Sequence, residues 1–367
     1  MERKLQIILA ILFILIIGAG IIIFYRQTSL SPTASELEEC KTLIDNGKDK
    51  INLVFFSDKQ TSEKYLEFFL SLSPFKENKN NFNFYYINSY SPSCEIYKGI
   101  ALLCYSKELV RKASSCPNDY IMVIKDETAS IRSSAYMNLI SLNSNSPLNV
   151  LSHEFGHVFA NLADEYVPAT LPKKAKNCVS NCSQFKFEID GCYEGCSKED
   201  YFRGIELGIM RTLSSINYGK LNEKLILEKI NENHEEITGA VAEEKLNCKN
   251  QEYYLIDGEY SSGKISVKEK NIEPGCIGKN GAGDFEYKLI LKDNSILSTG
   301  EFNPELIFTD IQETGKEQIT GSVEEREGEF ILKIPVIENS DSLEISKQGE
   351  KITQIDLKDI GAIPCRK

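Results

Sequence analysis

The chain is poor in histidine, with three in 367 residues. Two at ligand spacing in one short segment therefore stand out from chance. It also lacks a basic surplus. A formal net charge of −12 excludes a general nucleic-acid binder, which needs a basic face for phosphates. It leaves a protein or peptide partner open. There is no internal repeat and no low-complexity tract, which sets aside repeat arrays and linker-like architectures. Aromatic and aliphatic content is ordinary, so disorder is not the default. The length allows roughly two domains with proper cores.

What is present at the N-terminus is apolar. Met1-Glu-Arg-Lys precedes a run from Leu5 to Tyr25 whose one strongly polar side chain is Gln6. At about 1.5 Å per residue, some 20 residues of helix cross a ~30 Å hydrocarbon core. Residues 5–25 are expected to be a signal-anchor helix, with Arg3 and Lys4 holding the N-terminus in the cytoplasm. A signal peptide cut near Ala34, giving a secreted protein, is the alternative. Eleven cysteines fit an exported chain, because an oxidising exterior permits disulfides. Their odd number leaves at least one thiol over.

Continuous apolar runs read as buried strands at Lys50–Asp58, Phe82–Asn88, Asp119–Asp126 and Ala135–Leu142. Thr61 is expected to cap a helix carrying Tyr65, Phe68 and Phe69. Ser146-Pro147 is expected to open another, whose apolar stripe is Leu148, Leu151, Phe155, Val158, Phe159 and Leu162. A further helix is expected in "LNEKLILEKINEN". From Tyr253 onward, alternation such as Phe285, Tyr287, Leu289, Leu291 reads as the short strands of a sandwich.

The second of these helices carries chemistry in "LSHEFGHVFANLADEY" (Leu151–Tyr166). At 3.6 residues per turn His153 and His157 share one face, so two imidazoles can hold one ion. Glu154 projects beside them. Zinc lowers the pKa of bound water toward ~7, and a carboxylate there can take its proton. This is the H-E-x-x-H arrangement of metallopeptidases. A third ligand is needed. In metzincins a glycine ends the helix and the ligand follows three residues later. Here Ala160 holds the glycine position. Asn161, one further on, is the non-glycine residue that best tolerates a left-handed helix end. Three residues after it stands Asp164, preferred over the adjacent Glu165, which would then support a ligating histidine. Met210 in "GIMRTL" fits the methionine turn beneath a metzincin metal. The position that carries an oxyanion tyrosine in some metzincins is Thr212, and the nearest tyrosine is Tyr218, so that role stays unassigned. Arg211 is a candidate, with a salt bridge to a carboxylate as the plainer role. Cys178, Cys182, Cys192 and Cys196 read as two disulfides rather than a four-cysteine zinc knot, stapling a loop expected to rim the substrate cleft.

The segment "HEFGHVFANLADEY" resembles the signature of the M64 family of metallopeptidases, named for an immunoglobulin-A-cleaving enzyme. The family pattern is H-E-F-G-H-x-F-A-G-L-A-D-E-Y, and Asn161 replaces its glycine. "INLVFFSD" and "CSKEDYFRGIELGIMRTL" resemble flanking stretches, so the likeness spans roughly residues 50–220. It implies a zinc endopeptidase with one Zn2+ held by His153, His157 and Asp164, Glu154 as general base, and Met210 flooring the site. The expected architecture is an α/β (α+β) zincin-like catalytic domain with a C-terminal all-β sandwich and an N-terminal transmembrane helix. The expected limits are an anchor at 1–27, a tether at 28–40, a peptidase domain at 41–244 and an accessory domain at 245–367. A catalytically silent surface binding or adhesion protein is the alternative.

Overall fold

Apolar runs bounded by polar ends set the first sheet. The computed structural model describes residues 37–235, 248–311, 320–325, 327–358 and 360. Its first strands are β1 (Lys41–Ile44), β2 (Ile51–Phe56), β3 (Phe82–Ile87), β4 (Glu95–Tyr97), β5 (Ala101–Leu103), β6 (Tyr120–Lys125), β7 (Ser133–Tyr136) and β8 (Leu139–Asn143). Strands β3-β2-β6-β8 are parallel, and β7 lies antiparallel beside β8. Parallel strands are buried on both faces, which is why they read as continuous apolar runs. Along β2 the side chains alternate. Ile51, Leu53 and Phe55 enter one core, Val54 and Phe56 the other.

Four helices cover the sheet: α1 (Lys59–Phe69), α2 (Lys107–Ala113), α3 (Val150–Ala160) and α4 (Lys220–Glu235). The first, third and fourth share one aromatic-rich core, where Phe155 meets Phe69, Phe75 and Tyr120 edge-on. Helix α2 packs Leu109 and Ala113 on the opposite face. Two caps differ from expectation. Asp58, not Thr61, caps α1: its Oδ1 accepts from Thr61 N at 3.0 Å. Helix α3 begins at Val150 behind Asn149, not at Ser146-Pro147, because a turn closed by Val150 N and Pro147 O precedes it. The single strand expected over 135–142 is a hairpin. Met137 turns it at φ 56°, a left-handed position with no glycine to announce it.

After a short hairpin, β9 (Tyr193–Cys196) and β10 (Lys198–Arg203), the chain is strand: β11 (Glu252–Ser261), β12 (Lys264–Pro274), β13 (Phe285–Leu291), β14 (Ile296–Phe302), β15 (Leu306–Ile311), β16 (Thr320–Glu325), β17 (Gly328–Pro335), β18 (Ser340–Lys347) and β19 (Glu350–Asp356). Sheets β12-β11-β17 and β14-β13-β18-β19 face each other across one core. Strands β15 and β16 leave that pair. They extend the first sheet beyond β7, to the order β1-β3-β2-β6-β8-β7-β15-β16. The chain thus crosses back over the limit expected near residue 245, and from Leu37 on it forms one compact unit. The tether expected over 28–40 is held at its end, where Glu38 pairs with Lys112 and Cys40 bonds Cys116.

Strand outweighs helix, 36 % against 17 %. The α/β (α+β) description with a transmembrane helix is therefore corrected to a mostly β protein of several sheets. No helix among the described residues is long and apolar enough to cross a membrane. Residues 5–25 lie outside the described residues. Ten cysteines pair as Cys40–Cys116, Cys94–Cys104, Cys178–Cys196, Cys182–Cys192 and Cys248–Cys276. The eleventh, Cys365, also lies outside the described residues.

The seam between the first sheet and the sandwich holds a buried cation. Lys333 on β17 is 1 % exposed and donates to Asn118 Oδ1 at 2.5 Å. Burial, partly offset by Asp119, pulls its pKa down to about 7. An unfolded lysine titrates near ~10.4. Between those values the unfolded chain binds more protons, so stability rises with pH across that window. Below about 7 both states carry the proton and the burial penalty is complete. Lys333→Met is expected to stabilise the fold at pH 6 by on the order of a few kcal/mol, read as a higher Tm. By pH 10 the gain should be gone, since Asn118 Oδ1 then simply loses a partner. Thermal melts at the two pH values check this, and equal gains at both would refute it.

Candidate metal centre

Helix α3 carries His153, Glu154 and His157 of the motif and packs against β7 and β8. Asn149, at its start, donates to the carbonyls of Leu213 and Ser215, which ties the helix to the loop around Met210. At its end Asn161 adopts φ 50°, ψ 38°. Leu162 N returns to Gly156 O and Asn161 N to His157 O, the paired bonds of a left-handed helix stop. That stop reverses the chain and carries Asp164 back to the histidine face. Met210 is fully buried below the helix. A Cβ on Gly156 would lie 2.8 Å from its sulfur. The glycine of H-E-F-G-H is there because the methionine fills the space.

Both imidazoles are oriented through Nδ1. His153 Nδ1 meets Ile209 O at 2.9 Å, and His157 Nδ1 meets Leu162 O at 2.7 Å. With Nδ1–H donating to a carbonyl, each Nε2 presents a lone pair inward. The two Nε2 atoms are 3.2 Å apart. Asp164 Oδ1 stands 3.3 Å from each. Asp310 Oδ2 stands 3.3 Å from His153 Nε2 and 3.8 Å from His157 Nε2. With both imidazoles neutral, every one of these atoms is an acceptor, and all four residues are buried.

Such a cluster of acceptors is repulsive unless a cation sits among them. Ligand atoms at about 2.0–2.2 Å from one tetrahedral ion lie roughly 3.3–3.5 Å from each other. The observed separations are close to that spacing. Both oxygens of Asp164, both of Glu154, and Asp310 Oδ2 lack hydrogen-bond partners in the protein, which costs free energy unless something positive or protic meets them. The buried group His153, His157, Asp164 and Asp310 could therefore hold a metal ion.

The electrostatics agree. Burial opposes a proton on His153, but Asp310 and then Asp164 outweigh it and hold its pKa well above the imidazole range. His157, likewise opposed by burial and raised by Asp164, is pushed up to about 9. Burial raises Asp310, yet the two imidazoles hold it well below the carboxylate range. Glu154 moves the other way. Burial, then the charge of Asp310, pushes it well above that range. The cluster as a whole favours positive charge at its centre.

Glu165 faces away from the cluster. Its Oε1 accepts from Asn222 at 2.8 Å and Asn177 at 3.2 Å, and burial pushes its pKa up to about 7. The histidines are steadied by backbone carbonyls, not by Glu165 as expected. Arg211 makes no salt bridge among the described residues and donates to the carbonyls of Glu165 and Gly195. Tyr218 is spent on Ser152 O. The loop of Cys178–Cys196 braces the ligand turn: Asn177 bonds both backbone groups of Ala163, and Ser197 Oγ donates to Asp164 O.

Three residues of the site were not expected from the sequence. Asp310 comes from β15. Tyr166 donates to Asp310 Oδ1 at 2.5 Å. Phe308 lies flat on the His157 ring, centroids 4.0 Å apart. Tyr166 closes the motif itself, so its position was a usable signal. Nothing local marks "LIFTDI" as ligand-bearing. A comparison with models of known protein families finds no match, and neither does a comparison with curated proteins.

Proposed function

We propose that the protein is a zinc-dependent endopeptidase. The observation that carries this reading is the tetrahedral spacing of His153 Nε2, His157 Nε2 and Asp164 Oδ1 around one centre, with Glu154 on the same helix and buried against that centre. Nitrogen and carboxylate donors at this spacing suit zinc. When bound, the ion would supply Lewis acidity to a scissile carbonyl and lower the pKa of a water beside it. Glu154 would take the proton of that water and pass it to the leaving amine. Met210 would keep the helix at a fixed height under the ligands. The resemblance to the M64 family points the same way. Five disulfides suit an oxidising compartment.

A second reading, a catalytically silent binding or adhesion protein, draws support from Asp310. Four protein ligands are the composition of a structural zinc site, while catalytic sites keep one position open. The test is metal content against turnover. Purified full-length chain should carry about one zinc, and cleavage of labelled casein should fall with chelation and return with zinc. Zinc-loaded protein that cleaves no member of a broad peptide library, with Asp310 intact or replaced, would leave the silent reading standing.

A further inference from the structure

Asp310 arrives at the metal centre on a strand from the other end of the chain. Strand β15 pairs antiparallel with β7, in the register Ile307 to Tyr136, Phe308 to Ala135, Thr309 to Ser134 and Asp310 to Ser133. Strand β7 has β8 on its other side, so this pairing consumes its one remaining edge. An extended peptide is recognised by adding as a strand to a free sheet edge, main chain to main chain. The edge of β7 is the one that flanks the ligand helix, through contacts of α3 with β7 and β8. A peptide laid across the metal would take the place that β15 holds.

Alternation along β15 explains the rest. Phe308 and Asp310 point to one side, Ile307 to the other. Ile307 is buried in the sandwich core. Phe308 covers the ring of His157. Asp310 offers Oδ2 to the two Nε2 atoms, while Tyr166 Oη fixes Oδ1. His153, Glu154 and Asp164 have no exposed surface, and Asp310 and His157 almost none, so β15 covers the cluster.

We propose that β15 is an internal occupant of the substrate position and that Asp310 is a fourth metal ligand, so that the folded chain is latent. The inference rests on the peptidase reading above. It adds that hydrolysis requires Asp310 to leave the centre, and that the substrate is an extended strand running antiparallel to β7. Asp310 is not a catalytic residue on this view. It fills the position that a reacting group would need.

The test uses full-length chain loaded with cobalt(II) or zinc. In the cobalt-loaded wild type, four protein ligands should give the intense visible absorption of a closed tetrahedral site. Acetohydroxamate, a small chelating probe, should leave that spectrum unchanged. Asp310→Ala and Asp310→Asn should keep the metal, shift the spectrum, and respond to acetohydroxamate. With the tie between Asp310 and the centre gone, β15 should leave β7 more readily, and their zinc forms should cleave labelled casein at least tenfold faster than wild type. A wild-type spectrum as responsive to acetohydroxamate as that of the variants would overturn the proposal. So would loss of the metal from both variants, which would mark a closed structural site. Variants that open to acetohydroxamate yet cleave nothing would keep Asp310 as the ligand but overturn latency, and with it the peptidase reading. Variants that open and cleave, while Asp310→Ala/Glu154→Gln opens and does not, would support both.

Discussion

Replacing Glu154 by Gln should abolish peptide hydrolysis while leaving the metal in place. The substitution keeps the shape of the side chain and removes its ability to accept a proton. Glu154 is fully buried, and neither of its oxygens has a partner within the protein. It is therefore not part of the hydrogen-bonded frame, and the frame should survive. General acid–base groups contribute about 10²–10⁴-fold to rate, so kcat should fall by that factor with KM nearly unchanged. The comparison belongs in both the wild-type and the Asp310→Ala chain, because the second gives the larger signal. Metal content by atomic absorption should stay the same throughout. Cleavage undiminished in Glu154→Gln would remove Glu154 from the mechanism.

The largest effect on stability is expected at Gly278→Ala. Gly278 lies between β12 and β13, where the sandwich touches the first sheet. A Cβ there would stand 1.5 Å from the carbonyl oxygen of Asn118. That oxygen is backbone and has little freedom to retreat. Asn118 is held by its own amide to Ala113 O and Cys116 O, and by Lys333. On either side, Cys276 N donates to Ser114 O at 2.7 Å and Lys279 N to Asp119 Oδ1 at 3.2 Å. The strand ends cannot separate without breaking this set. A loss above about 4 kcal/mol is expected, read as a fall in the urea midpoint. A midpoint within experimental error of wild type would show that the seam can yield.

What was legible in the sequence was local. His153, His157 and Asp164 lie within one helix and its stop, and helix periodicity plus one tolerant residue, Asn161, suffices to bring them together. Buried strands β2, β3 and β6 announced themselves by continuous apolar runs. Where the sequence misled, a non-local contact had overruled a local signal. Asn149 looks like an ordinary loop residue before α3, yet its amide is committed to Leu213 and Ser215. Met137 makes a turn without glycine because its hairpin is clamped by Asn138, which donates to Asp119 O and Lys279 O. The predominance of strand follows from the long C-terminal run of hairpins and from β15 and β16 joining the first sheet. Asp310 lies 144 residues beyond Tyr166. No spacing rule reaches that far, and an aspartate in an alternating strand reads as a solvent-facing residue.

The union of β7 with β15 also sets a clock. A chain made at roughly 5–20 residues per second exposes Asp164 about 7–30 s before Asp310 emerges. During that interval His153, His157 and Asp164 are already made and Asp310 is still to come. The β7 edge is bare for the same time, and a bare edge invites any passing strand. The β15–β16 hairpin therefore does two jobs in one docking event: it brings Asp310 to the histidines and covers the edge of β7.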